Sequence, residues 1–517
     1  MLGFFSNASD FTRRLASVRA NAKFSSPDAG PDEAWAGKTE QLGSVITHLK
    51  DAFGLNYVYC WHGLPGYWAG VMPDAPEMVG FGANVLYAKP TPGVLEVEPS
   101  MAWNPAVLAG VGVLQDPVHV YNAMHTYLAS AGVDGVKVDC QAGVGLVGSA
   151  LGGGPTLSRT FHTALEDSVV THFPGNHAIN CMCHSTENLY RMRNTAVVRA
   201  SDDFYPRDPA SSHPHIAACA YNSVFLSALL QPDWDMFHSK HPAARQHAIA
   251  RAISGGGVYV SDKPGEHDFA LLRQLVLPDG SVLRCAGAGR PTRDCLFLDV
   301  LRDGRSCLKV WNTHAGGSVG GPLLGGMVAV FNLQGTSWDR VRRKFAVHDA
   351  TPPALEVVVR AADVEGLMAS PMGQSSGGVF MAYVHGYPAT TLKRLEGAQA
   401  GVTFLLPNAA AEVVMLAPVI KVGAMSFAAL GLMHMLSGGG AVRGVSMNSA
   451  TGGSTMEGRV DVRGAGTFLM YCSQKPRKVM VCGLVLMSSW HAGSGALTVE
   501  VPPVDGLLAT IEVEFSV

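Results

Sequence analysis

Two short apolar runs in this chain end in carboxylates, Gly135-Val136-Lys137-Val138-Asp139 and Val197-Val198-Arg199-Ala200-Ser201-Asp202-Asp203. Acids set at the C-terminal ends of buried parallel strands suit glycosidic bond chemistry, in which one carboxylate meets the anomeric carbon and a second carboxyl protonates the leaving oxygen. The two acids need different surroundings. Lys137 stands two residues before Asp139 and so on the same side of a strand, where an ammonium keeps the Asp139 carboxylate ionised and fit to act as a nucleophile. Asp203 follows another acid and precedes Phe204 and Tyr205, so like charge and apolar walls raise its hold on a proton and suit it to be a general acid. An ordinary ion pair at a strand end explains Lys137 and Asp139 as well, and Asp202 is an alternative acid.

The elements that must deliver these acids alternate between strand-like and helical patterns from about residue 40 to residue 290, the pattern of a parallel α/β architecture. The spacing predicts strands at Asn56–Trp61, Gly135–Asp139, Ala178–Met182, Ala196–Ser201, Asp233–Phe237 and Gly257–Ser261. It predicts helices at Gln41–Phe53, Val118–Ala131, Leu157–Phe173, Ile216–Leu230, Ala243–Ile253 and Asp268–Leu277. A (β/α) barrel closes with eight strands, and nothing before Asn56 reads as one. Leu2–Arg19 is expected to be a helix and Ser26–Gly37 a loop. Beyond Arg290-Pro291-Thr292 the texture turns to short antiparallel strands, at Phe297–Val300, Cys307–Trp311, Met327–Asn332, Ala354–Arg360, Val379–Tyr383, Val402–Leu406, Gly466–Cys472 and Thr510–Ser516. The expected fold is α/β plus all-β: a (β/α)8-type barrel lacking about its first two strands over residues 1–292, then a C-terminal antiparallel β-sandwich over 293–517.

With 47% apolar and 15% charged residues among 517, the chain reads as globular and too long for one core. A net charge of -3 and the lack of any Lys/Arg block give no footing to nucleic acid or an anionic membrane. The 10 cysteines are scattered, as in a reducing compartment. Cys181-Met182-Cys183-His184 is half a metal site without a second half, so neither metal nor cofactor is expected. Val413–Met435 is long and apolar, but Lys421, His434 and Pro418 interrupt it, which favours two core strands over a membrane span. The first residues have neither a basic nor an apolar leader region, and a cytoplasmic location is expected, a plastid one staying open.

The segments Tyr57-Val58-Tyr59-Cys60-Trp61-His62-Gly63-Leu64-Pro65-Gly66-Tyr67-Trp68, Gly132 to Gln141, Arg199 to Pro209, Pro232 to Phe237 and Tyr259 to Gly265 resemble raffinose synthases, seed imbibition proteins and alkaline α-galactosidases, relatives of family 36 glycoside hydrolases. The resemblance runs from about Phe11 nearly to the C-terminus. It implies a retaining mechanism in which Asp139 attacks the anomeric carbon of an α-galactoside and Asp203, preferred by it over Asp202, protonates the leaving oxygen and then activates the acceptor, the two carboxyls lying about 5 to 5.5 Å apart. It further implies that Lys137, Arg199 and Asp235 hydrogen-bond galactose hydroxyls. Trp61, Trp68 and Trp234 can offer apolar faces to the sugar or be plain core. The implied reaction moves galactose from galactinol to sucrose, giving raffinose and myo-inositol. An α-galactosidase and a catalytically silent sugar-binding protein are the rival readings. Full-length relatives carry an upstream Asp-Asp-Gly-Trp-Gln motif after an N-terminal β-domain, and this sequence shows neither, so it reads as N-terminally truncated. Small carbohydrates are the expected partners; oligomeric state is left open.

Overall fold

A computed structural model describes residues 10–19, 42–316, 321–449, 455–504 and 508–516. It separates into two compact units, Met1–Arg199 and Ala200–Val517. The change of texture near residue 292 thus lies inside the second unit.

In the first unit, α1 (Leu42–Phe53) leads to β1 (Tyr59–Gly63), followed by β2 (Ala83–Leu86) and β3 (Val111–Leu114), which pair antiparallel. Then come α2 (Val118–Ser130), β4 (Gly135–Asp139), α3 (Gly154–His172), β5 (Ala178–Asn180) and β6 (Val197–Arg199). β1, β4, β5 and β6 run parallel in that order, with Gly63 opposite Asp139 and Val138 opposite Asn180. β4 has a strand on each side, so its sequence is an almost unbroken buried run in which Lys137 alone is partly exposed. The buried Leu157, Phe161, Ala164, Leu165 and Val169 recur at helical spacing on α3 and share a core with Val136 and Val138. A side chain at Gly135 would collide with the Tyr59 ring and the His177 carbonyl, so the glycine lets β1 and the approach to β5 close on β4. The helix expected at Leu2–Arg19 is not continuous: Asp10–Thr12 is a single 3-10 turn and Leu15 bridges Val71, while residues 1–9 and the loop expected at Ser26–Gly37 lie outside the described residues.

The second unit begins with an α/β stretch of α4 (Ser212–Leu226), β7 (Gln231–Asp233), α5 (Ala244–Ser254) and the short α6 (Phe269–Leu272). The Ala200 N–H donates to the Asp233 carbonyl at 2.8 Å. The strand expected at Gly257–Ser261 shrinks to a parallel bridge between Val260 and Phe237, and Phe297–Val300 forms turns instead of a strand.

The rest is antiparallel. One sheet has the order β15 (Lys393–Glu396), β14 (Val379–Val384), β17 (Ala411–Pro418), β10 (Leu323–Phe331), β9 (Leu308–Ala315), β8 (Arg290–Pro291). β11 (Thr336–Asp339) pairs with β12 (Lys344–Val347), and β13 (Leu355–Arg360) with β16 (Gly401–Leu406). A five-stranded sheet has the order β18 (Ile420–Val422), β19 (Met425–Leu432), β22 (Gly466–Cys472), β26 (Ala496–Val501), β25 (Ser488–His491). Another has the order β20 (Val442–Ser449), β21 (Thr455–Val462), β27 (Ala509–Ser516), β23 (Lys478–Val481), β24 (Leu484–Val485). Phe427 and Phe468 from the first of these share one core with Val460, Ile511 and Val513 from the second. Alternation on β27 sets Ala509, Ile511, Val513 and Phe515 inward. The apolar stretch Val413–Met435 is therefore three strands, β17, β18 and β19, where two were expected.

Candidate active site

In the first unit the chemistry-bearing residues collect at the C-terminal strand ends, where parallel α/β folds place their ligands. Asp139 closes β4 and is buried. Its Oδ2 accepts the indole N–H of Trp61 at 3.1 Å and its Oδ1 accepts the Cys140 N–H at 2.7 Å. Cys140 takes a left-handed φ of 58°, which bends the chain off the strand immediately after the acid. The ion pair expected between Lys137 and Asp139 does not form: no salt bridge joins them within 4 Å among the described residues. Alternation does put both on one side of β4, but the Asp139 carboxylate turns to the indole. Trp61 is half-exposed, with Tyr67 and Trp68 both 5.7 Å away between ring centroids. Arg199 ends β6 fully buried, with a guanidinium nitrogen 3.7 Å from Cys181 Sγ. A cavity of about 170 Å³ opens among Pro65, Trp68, Cys140 and Met182, residues that follow β1, β4 and β5.

In the second unit, Asp203 is tied to Asp235 through the intervening backbone. The Phe204 N–H donates to Asp235 Oδ2 at 2.8 Å, and Asp203 N–H donates to Asp202 Oδ1 at 2.9 Å. Asp202 also accepts the Tyr205 hydroxyl at 2.9 Å. Asp235 has a left-handed φ of 67°, a costly conformation for a residue with a side chain. Arg251, itself buried, holds it there: Nε donates to the Asp235 carbonyl at 2.9 Å and a terminal nitrogen to the Met236 carbonyl at 2.8 Å. The other terminal nitrogen donates to His247 Nδ1 at 2.7 Å. Burial, and after it the Arg251 charge, pushes His247 far below the usual imidazole range, so it stays neutral and accepts. Trp234 is the correction among the expected sugar platforms. It is wholly buried, its indole N–H bonded to Ser223 Oγ at 3.1 Å, and serves as core beneath α4. Asp202 and Asp203 line a second cavity, of about 340 Å³, together with residues of α4, β11 and β12.

Residues 4–501 match the family described as raffinose synthase or seed imbibition protein Sip1. The chain belongs to that family.

Relatives agree with the membership. The chain is 41% identical over 497 residues to a "Probable galactinol--sucrose galactosyltransferase 1" of Arabidopsis thaliana, covering 95% of this chain and 64% of that protein. It is 40% identical over 504 residues to a "Probable galactinol--sucrose galactosyltransferase 6" of the same plant, covering 94% and 62%. A "Galactinol--sucrose galactosyltransferase" of Oryza sativa subsp. japonica is 37% identical over 89% of this chain and 58% of its own length. This family member thus spans about three fifths of the relatives it matches. A solved GH27 β-L-arabinopyranosidase of Geobacillus stearothermophilus covers 76% of the chain and 80% of its own at 15% identity and a TM-score of 0.45, a likeness too low to carry an argument.

Within the family member, the structure brings Trp61 together with Asp139 and Trp68 in the first unit, and Asp203 with Asp235 in the second. Sequence reasoning missed Arg251 on α5. It also missed Tyr259, whose hydroxyl donates to Asp233 Oδ2 at 2.7 Å. The signal for Arg251 lay in its neighbours: Ile249, Ala250, Ala252 and Ile253 are apolar, which leaves α5 without a solvent face there.

Proposed function

We propose that the chain carries the chemistry of retaining galactosyl transfer from galactinol to sucrose, with raffinose and myo-inositol as products. Asp139 attacks the anomeric carbon and displaces inositol, which leaves with a proton from Asp203. Sucrose then gives its hydroxyl proton to Asp203 as its oxygen takes the galactosyl group from Asp139. Arg199, Lys137 and Asp235 serve as hydroxyl partners for galactose, and Trp61 as an apolar face beside the nucleophile. The observation that carries this reading is the buried Asp139 carboxylate at the end of β4, fixed by Trp61, in a chain matched to the family over residues 4–501. The finer fold reading goes with it: a (β/α)8-type barrel of which about the first two strands are not seen, followed by a β-sandwich. The parallel strands, the Phe237 to Val260 bridge and the core shared by two antiparallel sheets support it. We place the protein in the cytoplasm, in keeping with cysteines scattered along the chain; a fluorescent fusion checks this.

The test is product analysis with galactinol, with and without sucrose. Raffinose is expected only when sucrose is present. Free galactose as the main product in both reactions would replace the transferase reading by a hydrolase one, and no product in either would favour a silent sugar binder.

A further inference from the structure

The acid pair Asp202 and Asp203 borders a cavity of about 340 Å³, within the size range of small-molecule sites. Its remaining wall is mostly apolar, with aliphatic residues of α4 and of 298–301 standing beside the rings of Tyr221, Trp338 and Phe345. Trp338 on β11 and Phe345 on β12 face each other in register, their ring centroids 5.1 Å apart and edge-to-face. Phe345 in turn lies 6.2 Å from Tyr205, whose hydroxyl is bonded to Asp202. Tyr221 of α4 adds a fixed ring to the wall, since its hydroxyl donates to the Cys295 carbonyl at 2.8 Å. Trp338 is 44% exposed.

A carboxylate rim beside an aromatic plane fits a ligand with hydroxyls on its edge and C–H bonds on its face, which is the chemistry of a sugar or a cyclitol. Asp202, Asp203 and Asp299 all line the cavity, so an anionic ligand such as a sugar phosphate meets like charge, and a neutral one is favoured. A group that donates a proton to the leaving oxygen, and later removes one from the acceptor, must have that alcohol within hydrogen-bond reach. We propose that this cavity seats the acceptor alcohol, a neutral polyhydroxylated molecule, with Trp338 as its stacking platform. The inference rests on the galactosyl-transfer reading and adds to it a place and a selecting residue. In the acceptor step the alcohol oxygen bonds to the anomeric carbon while its proton passes to the Asp203 carboxylate. The bond from that carbon to Asp139 breaks, and its electron pair returns to the Asp139 carboxylate.

The experiment uses the whole chain and sucrose as the probe, read by calorimetric binding and by the ratio of raffinose to free galactose at fixed sucrose. Trp338→Ala is expected to weaken sucrose binding by roughly tenfold and to lower the product ratio similarly. Trp338→Tyr keeps an aromatic face and is expected to keep most of both; it also covers the case in which the alanine variant fails to fold. Unchanged binding in Trp338→Ala, or no sucrose binding by the parent chain, overturns the proposal. Trp338-dependent sucrose binding without raffinose synthesis upholds the cavity and defeats the transferase reading. Raffinose synthesis indifferent to Trp338→Ala does the reverse.

Discussion

Asp235 keeps its left-handed backbone because its own carbonyl and that of Met236 have a buried cation to bond to, and its carboxylate then fixes the Phe204 N–H that follows Asp203. Arg251 is therefore a positioning residue for the proposed acid. Arg251→Met removes the hydrogen bonds that the buried guanidinium gives to the Asp235 and Met236 carbonyls and is expected to cost about 3 to 5 kcal/mol in urea unfolding. In the folded fraction kcat should fall more than KM changes, because the proton donor loosens while sugar contacts elsewhere persist. Full kcat in a folded Arg251→Met variant would remove the positioning role. At this scale the sequence reveals residue types at strand ends but not their aim. Asp139 is where its strand pattern puts it, yet its partner is Trp61 instead of Lys137. Trp234 looked like a platform because it sits near the end of the strand expected at Asp233–Phe237, but β7 stops at Asp233, and just past it the alternation that decides sides no longer applies.

Elements with a strong local pattern were legible, and those held by a few distant bonds were not. α1, α2 and β4 lie within a residue or so of their expected bounds, and β22 coincides with its own, because a helical period marks the two helices and a short, mostly buried run marks each strand. β2 and β3 were missed: four residues each, they have too few positions for a pattern, and their pairing across an intervening segment of short helices is what makes them strands. The entry into β6 shows the same limit. Glu166 on α3 is fully buried and accepts the N–H groups of Arg193, Asn194 and Thr195 at 3.1, 2.5 and 3.2 Å, together with the Thr195 hydroxyl. From sequence it is one acid on a helix. Glu166→Ala strands those donors and is expected to destabilise the first unit by about 3 to 5 kcal/mol, whereas Glu166→Gln keeps an acceptor oxygen and should cost less. Equal melting temperatures for the alanine variant and the parent would contradict this.

The whole chain carries several buried histidines whose neutral form its packing requires. The carbonyl of Gly63 only accepts, so His62 Nδ1 donates to it at 2.8 Å, His62 Nε2 accepts from His125 Nε2 at 3.2 Å, and His125 Nδ1 accepts the Ser168 hydroxyl at 2.8 Å. Burial lowers His62 to about 4 and His125 to about 2, and lowers His314 and His385 to about 4. Folded values below the ordinary 6.5 mean that the unfolded chain binds more protons in between. The stabilisation is thus complete above pH 6.5 and is lost as pH falls toward about 4. The melting temperature should fall steadily from pH 7 to pH 5, and a flat profile would refute this. Composition located the passage from helical to antiparallel texture near residue 292 but not the division at Arg199 and Ala200, because contact density depends on which segments pack together and leaves no mark in local residue usage. The central claim is that Asp139 takes the galactosyl group, and trapping tests it most directly. After incubation with a 2-deoxy-2-fluoro-α-galactosyl donor that forms the covalent intermediate but turns over slowly, peptide mass spectrometry should find the added sugar on Asp139. A sugar on another carboxylate, or turnover of galactinol with no trapped adduct, would contradict the account.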